Sequence, residues 1–135
     1  MKYLKAKITR SMINYFGNDD RRIEHALHVL LHAEQLASNE ADPEIVIAAA
    51  LLHDIGIKLS EEKLGYNNGR TQEEFGPPVA AKLLNEIGFD SRKTKIVCDI
   101  IGNHHSKSRF DYPELEILKQ ADKIVNIYEA KLENS

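Results

Sequence analysis

Three features of the sequence predict an all-α fold, a single irregular helical bundle formed by residues 1–135. Apolar residues recur at helical spacing in one segment after another. Gly, Pro, Asp and Ser stand where such segments would stop and start. No segment shows the alternation of polar and apolar residues expected of a half-buried strand. At 135 residues the chain is long enough to bury a core without disulfides.

The elements follow in order. Tyr3, Ile8, Met12, Ile13 and Phe16 predict a first helix, stopped by Gly17 in the left-handed C′ position. Asn18 and Asp19 can cap a second, over about 21–37, with Ile23, Ala26, Leu27, Leu30 and Leu31 on one broad face. Asp42 before Pro43 is an N-cap followed by an N1 proline, and the third helix continues through an unbroken apolar run to His53 and Asp54. Being apolar all round, that helix belongs in the middle of the bundle. Residues 58–76, rich in charges and containing Gly65 and Asn67-Asn68-Gly69, read as a loop that covers or flanks a site. Pro77 and Pro78 then start a fourth helix, ended by Gly88. Ser91 caps a fifth, which runs through Ile96, Val97, Ile100 and Ile101 into Asn103-His104-His105. Asp111 to Pro113 opens a sixth, with Leu115, Leu118, Ala121, Ile124, Val125 and Tyr128 at helical spacing.

Composition narrows the function. Hydrophobic residues make up 42% and charged residues 29%, a globular profile. The net charge of −3 gives no electrostatic footprint for duplex nucleic acid, so a polynucleotide partner is disfavoured, whereas a small phosphorylated ligand is not. The longest apolar run, Ile45 to Leu52, is far below the roughly 20 residues that cross a bilayer, so no membrane partner is expected. One cysteine and no apolar leader make the cytoplasm the expected address.

The informative pair is His53-Asp54, at the end of the most apolar helix. An ionised carboxylate buried without a partner costs several kcal/mol, so the pair calls for a cation or a dense hydrogen-bond network. The alternative is a helix-ending motif at the surface. Further ligand-type residues recur near helix ends: His25, His104-His105 and Asp122, the last at the border of an apolar face. Mixed Asp and His ligands suit manganese, iron, cobalt or zinc better than calcium. Spacing alone does not separate His25 from His28 and His32, which share its side of the second helix.

The order of these residues resembles the HD-domain metal-dependent phosphohydrolases. Arg22-Ile23-Glu24-His25-Ala26-Leu27 is similar to the family's first ligand helix, Leu51-Leu52-His53-Asp54-Ile55-Gly56 to its name-giving motif, and Gln120-Ala121-Asp122-Lys123 to its last ligand. The resemblance implies that His25, His53, Asp54 and Asp122 hold one divalent ion, leaving His28 and His32 at the surface or behind the ligands. In dinuclear members a His-His pair and one more histidine hold a second ion, with the Asp of the motif bridging both. His104-His105 resembles that pair, but Phe75 stands where the extra histidine is expected, and Glu73 and Glu74 are its candidate replacements. One tightly held ion and a weaker or absent second are therefore expected.

The same resemblance implies hydrolysis of a phosphate ester, with a nucleotide as the expected substrate class. Metal-activated water would be oriented by Asp54, and His104 or His105, if free of metal, would protonate the leaving oxygen. Arg22 and Lys58 are candidate phosphate anchors, Arg22 as a fork and Lys58 as a point charge. Against these stand a solvated Lys58, an Arg22 paired with Asp19 or Glu24, and a His104-His105 pair that only caps the fifth helix. Cys98, among Ile96, Val97, Ile100 and Ile101, reads as core rather than nucleophile. The competing functions are a regulatory module that binds metal or nucleotide without turnover, and a metal-free interaction domain.

Overall fold

The computed structural model describes residues 1–134. Its helices are α1 (Leu4–Phe16), α2 (Asp20–Leu36), α3 (Pro43–Leu52), α4 (Ile57–Leu64), α5 (Gly69–Glu86), α6 (Ser91–Ile101) and α7 (Pro113–Glu133), and there is no strand among the described residues. No helix among them is long and apolar enough to cross a membrane.

α3 is the axle of the bundle, packed against α1, α2, α6 and α7. Pro43 enters its first turn with φ already set, and Asp42 accepts a hydrogen bond from the Glu44 amide at 2.9 Å. Ala48, Ala49 and Ala50 let neighbouring helices approach closely, while Leu51 and Leu52 are fully buried, each worth about 2 kcal/mol in apolar surface removed from water. The helix therefore delivers His53 and Asp54 to the interior. Their turn is tight, with the Ile55 amide bonded to Leu52 O and the Ile57 amide to Asp54 O, both at 3.1 Å.

Gly56 follows at once, and α5 crosses directly over it. A Cβ on Gly56 would lie 2.5 Å from the Gly76 amide nitrogen and 2.9 Å from Gln72 O, so only glycine permits this crossing.

Residues 58–76 are not a loop but most of α4 and the first turns of α5, joined by a short connection. α4 buries only Ile57 and Ser60, so its apolar signal is faint. Gly65, at φ 80°, ends it, and an Asn68–Thr71 capping box starts α5. Pro77 and Pro78 accordingly lie inside α5 rather than at its start. Asp90, not Ser91, caps α6, accepting from the Lys93 amide at 3.0 Å. The stops at Gly17 and Gly88, both with positive φ, and the Asp19 cap of α2 are as expected.

Candidate metal centre

The buried face of α2 is formed by His25, Ala26, Val29, Leu30 and Ala33, one stripe at helical spacing, whereas Leu27 and Leu31 are exposed. The face expected from the leucines was thus centred too far round the helix, and the true stripe contains His25. His53 ends α3, His104 and His105 follow α6, and Asp122 lies in the middle of α7 on its buried side. These four segments meet at one place.

Two sets of ligand atoms form there: His25, His53 and Asp122 in one, Asp54, His104 and His105 in the other, each set within 4.8 Å of itself. Asp122 Oδ1 lies 3.0 Å from His25 Nε2 and 3.3 Å from His53 Nε2. Asp54 stands between the sets. Its Oδ2 is 3.4 Å from His53 Nε2 and 3.5 Å from His25 Nε2, while its Oδ1 is 3.7 Å from His104 Nε2.

The outward sides of the rings decide what this arrangement can hold. His53 Nδ1 meets the Ala50 carbonyl at 2.8 Å and His104 Nδ1 the Ile101 carbonyl at 2.6 Å. A carbonyl only accepts, so each Nδ1 carries the proton and each Nε2 is left with a lone pair in the neutral ring. His25 Nδ1 faces both oxygens of Glu129 at 3.0 and 3.1 Å, with the same consequence. The Nε2 atoms of His25 and His53 then face each other at 3.3 Å with no proton between two neutral rings. His104 Nε2 is buried and has no hydrogen-bond partner at all. Inward lone pairs, outward N–H groups tied to acceptors and two carboxylates between them make a donor set that fits divalent metal ions.

The electrostatics agree. Burial would lower the His53 pKa, but Asp54 and Asp122 outweigh it and raise it to about 9. Burial would raise Asp54, yet His53 and His104 hold it down at about 2. Asp122 is likewise opposed by burial and held well below the usual carboxylate range by His25 and His53. His25 is raised, Asp122 overcoming its burial. Without a cation from outside, these carboxylates recruit protons onto the imidazoles as their counter-charge.

The remaining residues sort by position. Arg22 lines a cleft of about 150 Å³ together with His25 and Asp54, its Nη1 held by Asp19 Oδ2 at 2.7 Å. Lys58 does not line that cleft; its Nζ donates to Tyr15 O at 3.0 Å and lies over the Tyr15 ring. His28 and His32 are half-buried and outside both ligand sets. Cys98 is half-buried, its Sγ donating to Pro77 O, and burial raises its pKa, as befits an inert thiol. Phe75 is half-buried and joins neither set. Glu73 is not a ligand substitute: its Oε2 accepts from the His105 amide and the Ser106 hydroxyl. Glu74 is exposed.

Two participants escaped the sequence reading. Glu129 lies seven residues after Asp122, two helical turns on along the same face of α7, a spacing that was available to be noticed. Gln72, whose Oε1 meets His105 Nε2, was hidden by the missed start of α5.

A family model for the HD domain matches residues 22–127. The chain belongs to the HD-domain family. Among solved structures, this HD domain is similar to a predicted HD superfamily hydrolase from an uncultured Thermotogales bacterium. The match has a TM-score of 0.71 and 28% identity over 96% of this chain and 74% of the other. It is also 31% identical over 123 residues to an uncharacterized protein of Acanthamoeba polyphaga mimivirus, matching 86% of this chain but only 51% of that protein. The chain thus spans about half the length of that curated relative. Family membership agrees with a site whose His and Asp side chains could hold a metal ion.

Proposed function

We propose that this HD domain hydrolyses a phosphate ester of a nucleotide, using water activated at divalent ions of the manganese, iron, cobalt or zinc type. The observation that carries the proposal is the buried, partnerless Nε2 of His104, aimed at Asp54 beside a second set of inward-facing nitrogens. His25, His53, Asp54 and Asp122 would hold a first ion, and Asp54, His104 and His105 would hold a second, more weakly because only three side chains reach it. Ions bound there lower the pKa of water toward neutrality and neutralise a phosphoryl oxygen.

The chain's own groups do the rest. Asp54, held between both sets, orients the attacking water. Arg22, its guanidinium braced by Asp19, faces the phosphoryl oxygens from the cleft wall, and this role falls to it rather than to Lys58, which does not line the cleft. His104 and His105 serve as ligands, with burial and His104 together keeping the His105 pKa low, and the leaving oxygen takes its proton from solvent at the open cleft.

The cleft admits little beyond a phosphoryl group. It shares Arg21 and Glu129 with an adjoining groove of about 260 Å³ lined also by His28 and the exposed Tyr128 and Leu132. The nucleoside lies along that groove with its base against the Tyr128 ring. Protein loaded with manganese and screened against mononucleotides, dinucleotides and cyclic dinucleotides should release product with at least one class. Chelator should abolish the activity, and Tyr128→Ala should raise KM more than it lowers kcat. Metal-loaded protein that turns over none of these would point instead to a regulatory binding module.

A further inference from the structure

Two side chains, Asn67 in the connection between α4 and α5 and Gln72 in the first turn of α5, connect a surface carboxylate, Glu61 of α4, to the second ligand set. Glu61 Oε2 accepts from Asn67 Nδ2 at 2.8 Å, Asn67 Oδ1 accepts from Gln72 Nε2 at 2.9 Å, and Gln72 Oε1 faces His105 Nε2. This chain of hydrogen bonds has only one permitted direction. Glu61 is an anion and can only accept, so Asn67 must turn its amide nitrogen toward it and its oxygen toward Gln72. Gln72 must then present its nitrogen to Asn67 and its oxygen to His105. The proton on His105 is therefore on Nε2, and Nδ1 is bare. Reversing every amide would set the Asn67 oxygen against the Glu61 carboxylate.

We propose that the Glu61–Asn67–Gln72 relay is a tautomer lock that turns the bare Nδ1 of His105 toward the second ion. The proposal rests on the two-ion reading above and deepens it. Gln72 is buried, so its contact is shielded from competing water. Glu73 fixes the same residue from the backbone side, accepting from the His105 amide at 3.0 Å. Gly69 leaves room for the ring, since a Cβ there would sit 2.9 Å from His105 Cβ. The Arg22 guanidinium, 3.5 Å from Glu61 Oε2, ties the outer end of the relay to the wall of the substrate cleft. With Phe75 supplying no ligand, the relay orients one of the three already present rather than adding a fourth. Gln72 is in this sense a positioning residue.

The test uses the full chain, stripped with chelator, with manganese alone as the probe. Nitrogen-15 NMR of the histidine rings should show His105 as a single neutral form protonated at Nε2. Gln72→Met, close in volume but unable to accept, should give a mixture of tautomers. It should weaken the second manganese site on the order of ten- to hundredfold while leaving the first unchanged. Gln72→Glu keeps an acceptor of the same length toward His105 Nε2 but loses the donor to Asn67 Oδ1, so it should restore the Nε2 tautomer and the second site only as the Asn67 amide turns its nitrogen from Glu61 to the new carboxylate. Should Gln72→Met fail to fold, Asn67→Ala frees the Gln72 amide to rotate and must move both readouts in the same direction. His105 protonated at Nδ1 in wild type, or second-site affinity unchanged in both variants, would overturn the lock. A locked His105 in protein that binds a single ion would instead overturn the two-ion reading on which it rests.

Discussion

His53 links metal binding to pH in a way that can be worked out from the structure. Its folded pKa is raised from 6.5 to about 9 by Asp54 and Asp122, against the opposing effect of burial. At about 1.4 kcal/mol per pKa unit, that difference amounts to roughly 3 kcal/mol. Because the folded pKa is raised, the contribution is fully present below pH 6.5 and is lost as pH rises through about 9. Chelator-stripped protein should therefore lose stability over that window. A divalent ion competes for the same Nε2 lone pair, so between pH 6.5 and 9 its binding must displace the His53 proton. First-site affinity should then climb by up to about tenfold per pH unit and level off above pH 9. Calorimetric titration of stripped protein with manganese at pH 7.5, in two buffers of different ionisation enthalpy, reads the proton release directly; at least about one proton per first-site ion is expected, from His53 and in part from His25, whose pKa is also raised. Affinity that is flat from pH 7 to 9, with no proton released, would refute the assignment of His53 as a ligand.

Other perturbations address separate parts of the centre. Asp54→Ala removes the one carboxylate shared by both ligand sets and should abolish metal retention and activity while helical circular dichroism is kept; wild-type metal content would contradict it. Glu129→Leu deletes the acceptor behind His25 Nδ1 and should weaken first-site manganese about 10- to 100-fold in a metal titration without touching the second site. Gly56→Ala drives a Cβ into the α5 backbone at Gly76 and Gln72. It should cost roughly 1–3 kcal/mol in denaturant unfolding and, by displacing Gln72, should loosen the second ion first.

The parts that could be read from the residues were those with strong local signals. The apolar run of α3, bounded by Asp42-Pro43, placed His53-Asp54 in the interior, and Gly17, Asp19 and Gly88 marked helix ends that the structure reproduces. What could not be read followed from weak or misleading signals. α4 buries two residues and so shows almost no period. Pro77-Pro78 looked like a helix start because proline usually costs an interior hydrogen bond, yet the capping box at Asn68 starts α5 two turns earlier. On α2, exposed Leu27 and Leu31 pulled the inferred face away from Val29 and Ala33. The partners behind the ligands were harder to assign: the register of Glu129 with Asp122 on α7 could be read, but its pairing with His25, 104 residues away, could not, nor could that of Gln72 with His105, 33 residues away. Only the folded contacts bring such pairs together.

The most direct test is a crystal structure of protein grown with manganese and never exposed to chelator, with anomalous scattering recorded at an energy that identifies the ion. One strong peak is expected within ligand distance of His25, His53, Asp54 and Asp122, and a second, of lower occupancy, between Asp54, His104 and His105. A map with no peak at the first position, or with these side chains turned away from a metal bound elsewhere, would contradict the account.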